Sequence, residues 1–316
     1  MQIPKLVVVG ELNADLILER VRALPKLGAE RLAEGMTLTL GSSSAILASN
    51  ASALGLDVGF VGRVGEDAFA EFVRERLQDR SVNIRHVRET PGEATGLTVI
   101  YTYGDDRGVM TYPGAMNALT IGDVPWDDLR RAEHLHLSSF YLQRGLRPDT
   151  EELFRRAKAL GLSTSLDTNW DPDEDWNGGL FGVLEHVDIF LPNEEEARFI
   201  AGEGELERAM AGLAQRAGTV VVTCGAEGVR VRTGEETLSL GAPSVAPVDA
   251  VGAGDSFNAG FLRKYLEEAP LEECVEHGLL AGAYSTLEAG GTAAFDDVEA
   301  FTSFAEERRE HIRVPK

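Results

Sequence analysis

Short strand-like runs recur along the chain, and segments with helical periodicity separate them. The runs include Leu6-Val-Val-Val9, His134-Leu-His-Leu-Ser138, Leu162-Ser-Thr-Ser-Leu166, Val187-Asp-Ile-Phe-Leu191 and Thr219-Val-Val-Val-Thr223. A run such as Leu6–Val9, apolar without alternation, suits a strand buried on both faces. Helical patterns lie at about 45–54, 68–79, 149–160 and 205–216. Strand and helix in alternation are the signature of a parallel sheet with crossover helices, an α/β fold. Polar residues follow one apolar run after another: Asn13 and Asp15, Ser138, Asp167 and Asn169, Asn193 and Glu196, and Thr223. Open α/β sheets bind ligands at the carboxyl ends of their strands, so this repetition predicts a cleft along one sheet edge.

Two stretches break the rhythm. Strands are expected near 16–20 and 35–40, and Leu97–Tyr103 with Val109–Tyr112 reads as a β-hairpin around a polar turn. These pieces, about 16–40 and 95–113, predict a small separate sheet that acts as a lid inserted in one α/β core. An antiparallel edge on the main sheet is the other arrangement they allow. No fixed-period repeat, low-complexity tract or linker divides residues 1–316.

The net charge of −22 argues against a nucleic-acid surface and against anionic membranes. Lys occurs only at 5, 26, 158, 264 and 316, so a phosphate clamp would rest on Arg or backbone N–H groups. Cys224 and Cys274 are too few for a disulfide framework or a Cys-rich metal site. The N-terminal apolar run is too short for a signal peptide, which makes the cytoplasm the expected compartment.

The stretch Asp249-Ala-Val-Gly-Ala-Gly-Asp-Ser-Phe-Asn-Ala-Gly-Phe261 is the densest candidate for chemistry. Gly252, Ala253 and Gly254 read as a turn entering a helix, with Asp255 at or near its N-cap. Unpaired N–H groups and the positive end of the helix dipole make such a turn an anion site. A carboxylate there would repel a resident anion. It makes sense where a phosphoryl group is in transit and the carboxylate receives the proton of the attacking hydroxyl. A plain N-cap is the competing reading. No Lys follows a Gly, which excludes a P-loop, and Gly-x-Gly-x-x-Gly, His-Glu-x-x-His and Gly-x-Ser-x-Gly are absent. The six His are scattered and suit structural roles.

Asn193 and Glu196, spaced i, i+3, share a helix face. Beside a phosphate site this carboxylate suits Mg²⁺ held through water. Otherwise the acidic cluster complements a helix N-terminus. Asn13 and Asp15 suit the hydroxyls of a polyol, and the same pair suits a turn.

Taken together, Gly252-Ala-Gly254-Asp255 with Asp249 ahead of it, Asn193-x-x-Glu196, Thr223-x-Gly225-x-x-Gly228, and Gly10 with Asp15 resemble the ribokinase-like (PfkB) carbohydrate kinases across essentially the whole chain. The resemblance implies a three-layer αβα sandwich with a mostly parallel central sheet and a small β-sheet lid used for homodimerisation. It implies ATP-dependent phosphorylation of a primary hydroxyl on a sugar or nucleoside, with Mg²⁺ as cofactor and K⁺ as an activator in many members. Carried onto this sequence, Asp255 is the general base and Gly252, Ala253 and Gly254 form the anion hole. Asn193 and Glu196 serve the Mg²⁺–phosphate region, and Thr223, Gly225, Gly228 and Asp249 lie near the nucleotide. Asn13, Asp15, Gly41, Ser42 and Arg107 fall on the acceptor side. The helix dipole is expected to depress the pKa of Asp255.

Three departures from the family pattern stand out: Ala250 for Thr, Gly41-Ser42 for Gly-Gly with Ile46 for an acceptor-contacting Asn, and Trp170 for Arg. They leave the acceptor open. An apolar pocket at Ile46 would favour a nucleoside, and a non-catalytic sugar-binding regulator is the alternative from another class.

Overall fold

A computed structural model of the protein describes residues 4–103 and 106–312. Its strands are β1 (Leu6–Val9), β2 (Asn13–Glu19), β3 (Gly35–Leu40), β4 (Val58–Val64), β5 (Asn83–Glu89), β6 (Gly96–Tyr103), β7 (Asp106–Tyr112), β8 (His134–Leu137), β9 (Ser163–Leu166), β10 (Ile189–Phe190), β11 (Thr219–Thr223), β12 (Val229–Thr233) and β13 (Glu236–Leu240). They form a nine-stranded sheet in the order β13-β12-β11-β10-β9-β8-β1-β4-β5 and a four-stranded sheet in the order β3-β2-β6-β7. The large sheet is parallel except for its β11-β12-β13 edge.

Strand periodicity explains the layers. Leu6 and Val8 of β1 pack on one face with Leu47, Val73, Leu77, Phe257 and Phe261. Val7 and Val9 point the other way, into a second core with Phe154, Leu184, Ile200 and Met210. Helices 43–53, 68–79, 253–265 and 271–285 thus cover one face, and helices 150–159, 180–184, 194–201 and 206–213 cover the other. This is the three-layer α/β sandwich expected of a strand set apolar on both sides.

The small sheet is separate from the large one, which settles the two arrangements that residues 16–40 and 95–113 allowed. Its turn at 104–105 lies outside the described residues. Ile17 and Ile100 of the small sheet bury against Val251, so this sheet lies over the glycine turn of the main domain.

Two strands differ from the sequence reading. The Asn83–Glu89 strand carries polar residues at most of its positions and pairs only on one side, as an edge strand can. The strand expected over 187–191 pairs at Ile189 and Phe190. Among the described residues no helix is long and apolar enough to cross a membrane.

The central strands hold a buried polar ladder. His134 bridges the hydroxyls of Ser163 and Ser165 at 2.7 and 2.6 Å, and His136 bridges Ser165 and Ser138, both at 2.7 Å. Burial pushes the His134 imidazole down to about 3 and His136 well below its ordinary value, so both are neutral connectors. The structural role expected of these histidines is the one they have.

Candidate active site

The helix Ala253–Tyr265 begins at Gly252, whose φ of 74° is in the left-handed region that glycine reaches without strain. A side chain at Gly252 would meet Gly291 Cα at 2.6 Å and Ile46 at 3.2 Å. The turn is braced from outside: Asp249 accepts from the N–H of Val251 at 3.0 Å and of Gly290 at 2.9 Å. Asn50 donates to Ser256 and to the Gly291 carbonyl, tying helix 43–53 to the same turn.

Asp255 is not the N-cap. Gly252 takes that position, no side chain caps the helix, and Asp255 is its third residue, 9% exposed. The carboxylate therefore points into the interior of the site rather than back onto its own helix. Its pKa also runs opposite to the dipole expectation, being pushed up to about 8. Burial is the largest cause, followed by the neighbouring Asp167, with Glu11 adding to it. A hydrogen bond from Ser43 and the charge of Arg107 act in the opposite direction without overcoming them. A helix N-terminus stabilises a charge by about 0.3–1 kcal/mol, up to about 2 when partly buried, less than full desolvation of a carboxylate costs.

Several other carboxylates share this environment. Burial pushes Asp167 up to about 8 and Asp15 and Glu196 to about 7, and each also feels neighbouring carboxylates. Asp167 sits at the end of β9, where it accepts from Asn169 N–H at 3.0 Å and from Asn258 at 2.8 Å.

Of the residues expected on the acceptor side, Asp15 on β2 lies in the field of Asp255, and a hydrogen bond from Thr98 partly offsets the effect of burial on it. A side chain at Gly41 would come within 2.0 Å of its carboxylate, so Gly41 makes room for Asp15. The buried Asn13 amide oxygen has no hydrogen-bond partner among the described residues. Arg107 is an exposed residue of β7. Ser42 is committed elsewhere: it caps helix 43–53 through Ala45 N–H and donates to the Glu11 carbonyl. Ile46, 2% exposed, packs beneath Gly252 and Gly291 and forms no acceptor pocket.

On the other side of the glycine turn lies a cavity of about 450 Å³. Thr223, Gly225 and Gly228 line it together with Ala250, Ala253 and Gly254. Gly225 and Gly228 have φ of 55° and 103°, and a side chain at Gly228 would strike the Leu240 carbonyl at 2.0 Å. Pro243, Val245, Phe257 and Leu279 give the same cavity an apolar wall.

Asn193 and Glu196 form a capping box: Asn193 accepts from Glu196 N–H at 2.9 Å, and Glu196 accepts from Asn193 N–H at 3.0 Å. The helix-start reading of this pair is therefore correct for part of its bonding. Glu196 is nonetheless 4% exposed and electrostatically coupled to Asp255, which an ordinary surface cap is not. Sequence reasoning gave no role to Glu11 or Ser43, although both reach this site. Their signal was the unusual Ser42-Ser43-Ser44 run and an acidic residue shortly after a buried strand.

Residues 3–297 match the pfkB family of carbohydrate kinases. An ATP-dependent ribose-1-phosphate kinase of Halopiger xanaduensis is 30% identical over 93% of this chain and 96% of that protein. A cytidine kinase of Thermococcus kodakarensis is 30% identical over 87% and 93%. The structure of Arabidopsis thaliana ribokinase complexed with ribose and ATP is similar with a TM-score of 0.82, at 26% identity over 96% of this chain and 99% of that one. With the Gly252–Asp255 turn, the cavity beside it and this match over nearly its whole length, the chain belongs to the pfkB family of carbohydrate kinases.

Proposed function

We propose that this kinase transfers the γ-phosphoryl group of ATP to a primary hydroxyl of a sugar, with Asp255 as general base. The observation that carries the reading is the position of the glycine turn. Ala253 and Gly254 line the cavity on one side, while Asp255 of the same turn lies among Asp15, Glu11 and Asp167 on the other. A phosphoryl group passing between the two compartments meets the backbone N–H groups of residues 252–254 and the carboxylate in succession. Positioning and charge stabilisation dominate such a transfer.

ATP occupies the cavity lined by Thr223, Gly225 and Gly228, with its adenine against the apolar wall. The buried carboxylates fit a divalent cation, whose charge would take the place of the protons that burial holds on them. Among the described residues no three His, Cys, Asp or Glu are grouped to ligate a metal by themselves. Mg²⁺ would therefore be held largely by phosphate oxygens and water, with Glu196 in its outer shell and Asn193 orienting Glu196. When bound, it supplies positive charge to the phosphoryl oxygens. The response to K⁺ that the family resemblance implies has no separate support, because both Asp249 oxygens accept backbone N–H groups.

The acceptor binds under the small sheet, where the unpaired Asn13 oxygen and the Asp15 carboxylate offer acceptors for hydroxyl groups. A nucleoside is the second reading. Trp170, 42% exposed and next to Asn169, packs against Trp176 and Phe199 and presents an aromatic surface for a base.

The outer face of the small sheet supports pairing of two copies. Leu38, Leu16, Val99 and Met110 form one cross-strand row over β3, β2, β6 and β7, and Met36 and Tyr112 extend it. Met36, Met110 and Tyr112 are 54–70% exposed, an apolar patch suited to a homodimer.

ADP release measured with hexoses, pentoses, sugar acids, sugar phosphates and nucleosides tests the function. Release that depends on one of these classes, and that Asp255→Asn abolishes, is the expected result. Absence of acceptor-dependent release across the panel would refute it.

A further inference from the structure

A chain of hydrogen bonds runs from a buried carboxylate that the proposed transfer does not use to the one that it does. Glu11, 1% exposed, lies two residues past the end of β1 and accepts from Ser44 N–H at 3.2 Å, Ser44 Oγ at 2.6 Å and Ser139 Oγ at 2.7 Å. Asn169 Nδ2 donates to Ser139 Oγ at 2.7 Å and also to Ser43 Oγ. Ser43 in turn lies beside Asp255, and a hydrogen bond from it is the influence that most lowers the Asp255 pKa.

The donor direction along this chain is fixed by counting protons. The Asn169 amide nitrogen only donates, so the single hydroxyl proton of Ser139 is directed away from it, to Glu11 Oε1. The Ser139 oxygen is then left to accept from the Asn169 amide. The second amide hydrogen of Asn169 goes to the Ser43 oxygen, and the one proton of Ser43 is left to point at Asp255. Reversal at any hydroxyl would set two donors or two acceptors against each other.

Two further observations single out this chain. Ser42, Ser139 and Asn169 adopt φ of 71°, 54° and 53°, strained for residues with side chains, and they flank or form it. Gly10 leaves the space it needs, since a side chain there would lie 1.9 Å from Ser44 Oγ.

We infer that Glu11 is a positioning residue for the transfer: through Ser139 and Asn169 it holds the Ser43 hydroxyl in the direction that donates to Asp255. The inference rests on Asp255 as the base. The Ser43 donor at the end of the chain stabilises the ionised Asp255 that accepts the proton, while the charge of Glu11 itself acts in the opposite direction. The other groups acting on Asp255 are Asp167 from the end of β9, Arg107 from β7 and Glu11 itself. Asp15 of β2 and Glu196 of helix 194–201 share its field.

A double-mutant cycle on kcat and its pH profile tests this. Ser43→Ala should lower kcat about tenfold, the size of one lost hydrogen bond to a charged group, and move the acidic limb to higher pH. KM for ATP should stay within about twofold. Ser139→Ala should act in the same direction, and the Ser43→Ala/Ser139→Ala pair should be no slower than Ser43→Ala alone. Glu11→Gln, whose amide can turn the Ser139 proton around, should lower kcat as Ser139→Ala does, while loss of its charge, which raises the Asp255 pKa, moves the acidic limb to lower pH instead. If Glu11→Gln does not fold, the two serine variants still close the cycle. Multiplicative losses in the double variant, or an unchanged profile in Ser139→Ala, would overturn the inference while leaving the base in place. An active Asp255→Asn would remove the base itself, and the inference with it.

Discussion

Asn258 Nδ2 donates to Asp167 Oδ2 at 2.8 Å, joining the helix that carries Asp255 to the end of β9. The bond holds two carboxylates in one another's field, and Asp167 is the charge that most raises the pKa of Asp255. Asp167 is itself raised by burial and then by Glu196, so the charge it sets beside Asp255 depends in turn on that neighbour.

The pH dependence follows from that pair. A base must be ionised to act, and burial with Asp167 pushes Asp255 up to about 8. For the free enzyme, kcat/KM should therefore rise with a midpoint near pH 8 rather than near pH 4. Asp167→Asn should move this limb to lower pH. Initial rates from pH 5.5 to 9.5 measure it, and a flat profile over that range contradicts the assignment.

Asp255→Asn should reduce kcat by about 10²–10⁴-fold with little change in ATP affinity. The same substitution should stabilise the ligand-free protein. The folded pKa of Asp255 is raised, so the folded state binds more protons than the unfolded one between about pH 4 and 8, and stability falls as pH rises through that window. Thermal melts should show a higher Tm for the variant at pH 8 and a negligible difference at pH 4.

Glu196→Gln keeps an acceptor for Asn193 N–H and so preserves the capping box. Its expected effect lies in metal use: the Mg²⁺ concentration for half-maximal activity should increase several-fold, while Tm stays near that of the parent. Titration of Mg²⁺ at fixed ATP distinguishes this from loss of the helix start, which would lower Tm instead.

Gly252→Ala places a side chain at a φ of 74° and 2.6 Å from Gly291. The left-handed conformation alone costs about 1–2 kcal/mol for a residue with a Cβ. Denaturant unfolding should show at least that loss, together with a drop in kcat as the N–H groups of the turn move.

Charge on the outer face of the small sheet should separate the copies. Met36 and Met110 are 67% and 70% exposed, on outer strands of the sheet, and do not line the cavity proposed for the nucleotide. Met36→Asp with Met110→Asp should convert a dimer to a monomer in light scattering. A parent protein that is monomeric at micromolar concentration would refute the pairing.

Much of the architecture was legible because burial on both faces leaves a local mark. The run Leu6–Val9 needs no partner to be recognised, and the period of residues 68–79 gives the bounds of their helix. The Asn83–Glu89 strand left no such mark, since an edge strand presents polar residues to water. The Gly252–Asp255 turn was equally legible, because a left-handed backbone and a helix start restrict residue choice within a few positions.

What lay beyond the sequence was every property that depends on separate segments meeting. The sequence by itself determined a parallel α/β sheet, a second small sheet, a glycine turn with a carboxylate, and polar residues at the strand ends. Only the tertiary structure decided that Asp255 is the third residue of its helix and is protonated more readily than an ordinary carboxylate. It alone brought Glu11, Ser43, Ser139 and Asn169 into one chain and turned Ile46 into packing beneath the turn. The physical reason is that desolvation and hydrogen-bond direction depend on three-dimensional neighbours, and these neighbours lie far apart in the chain, Ser139 and Glu11 by 128 positions.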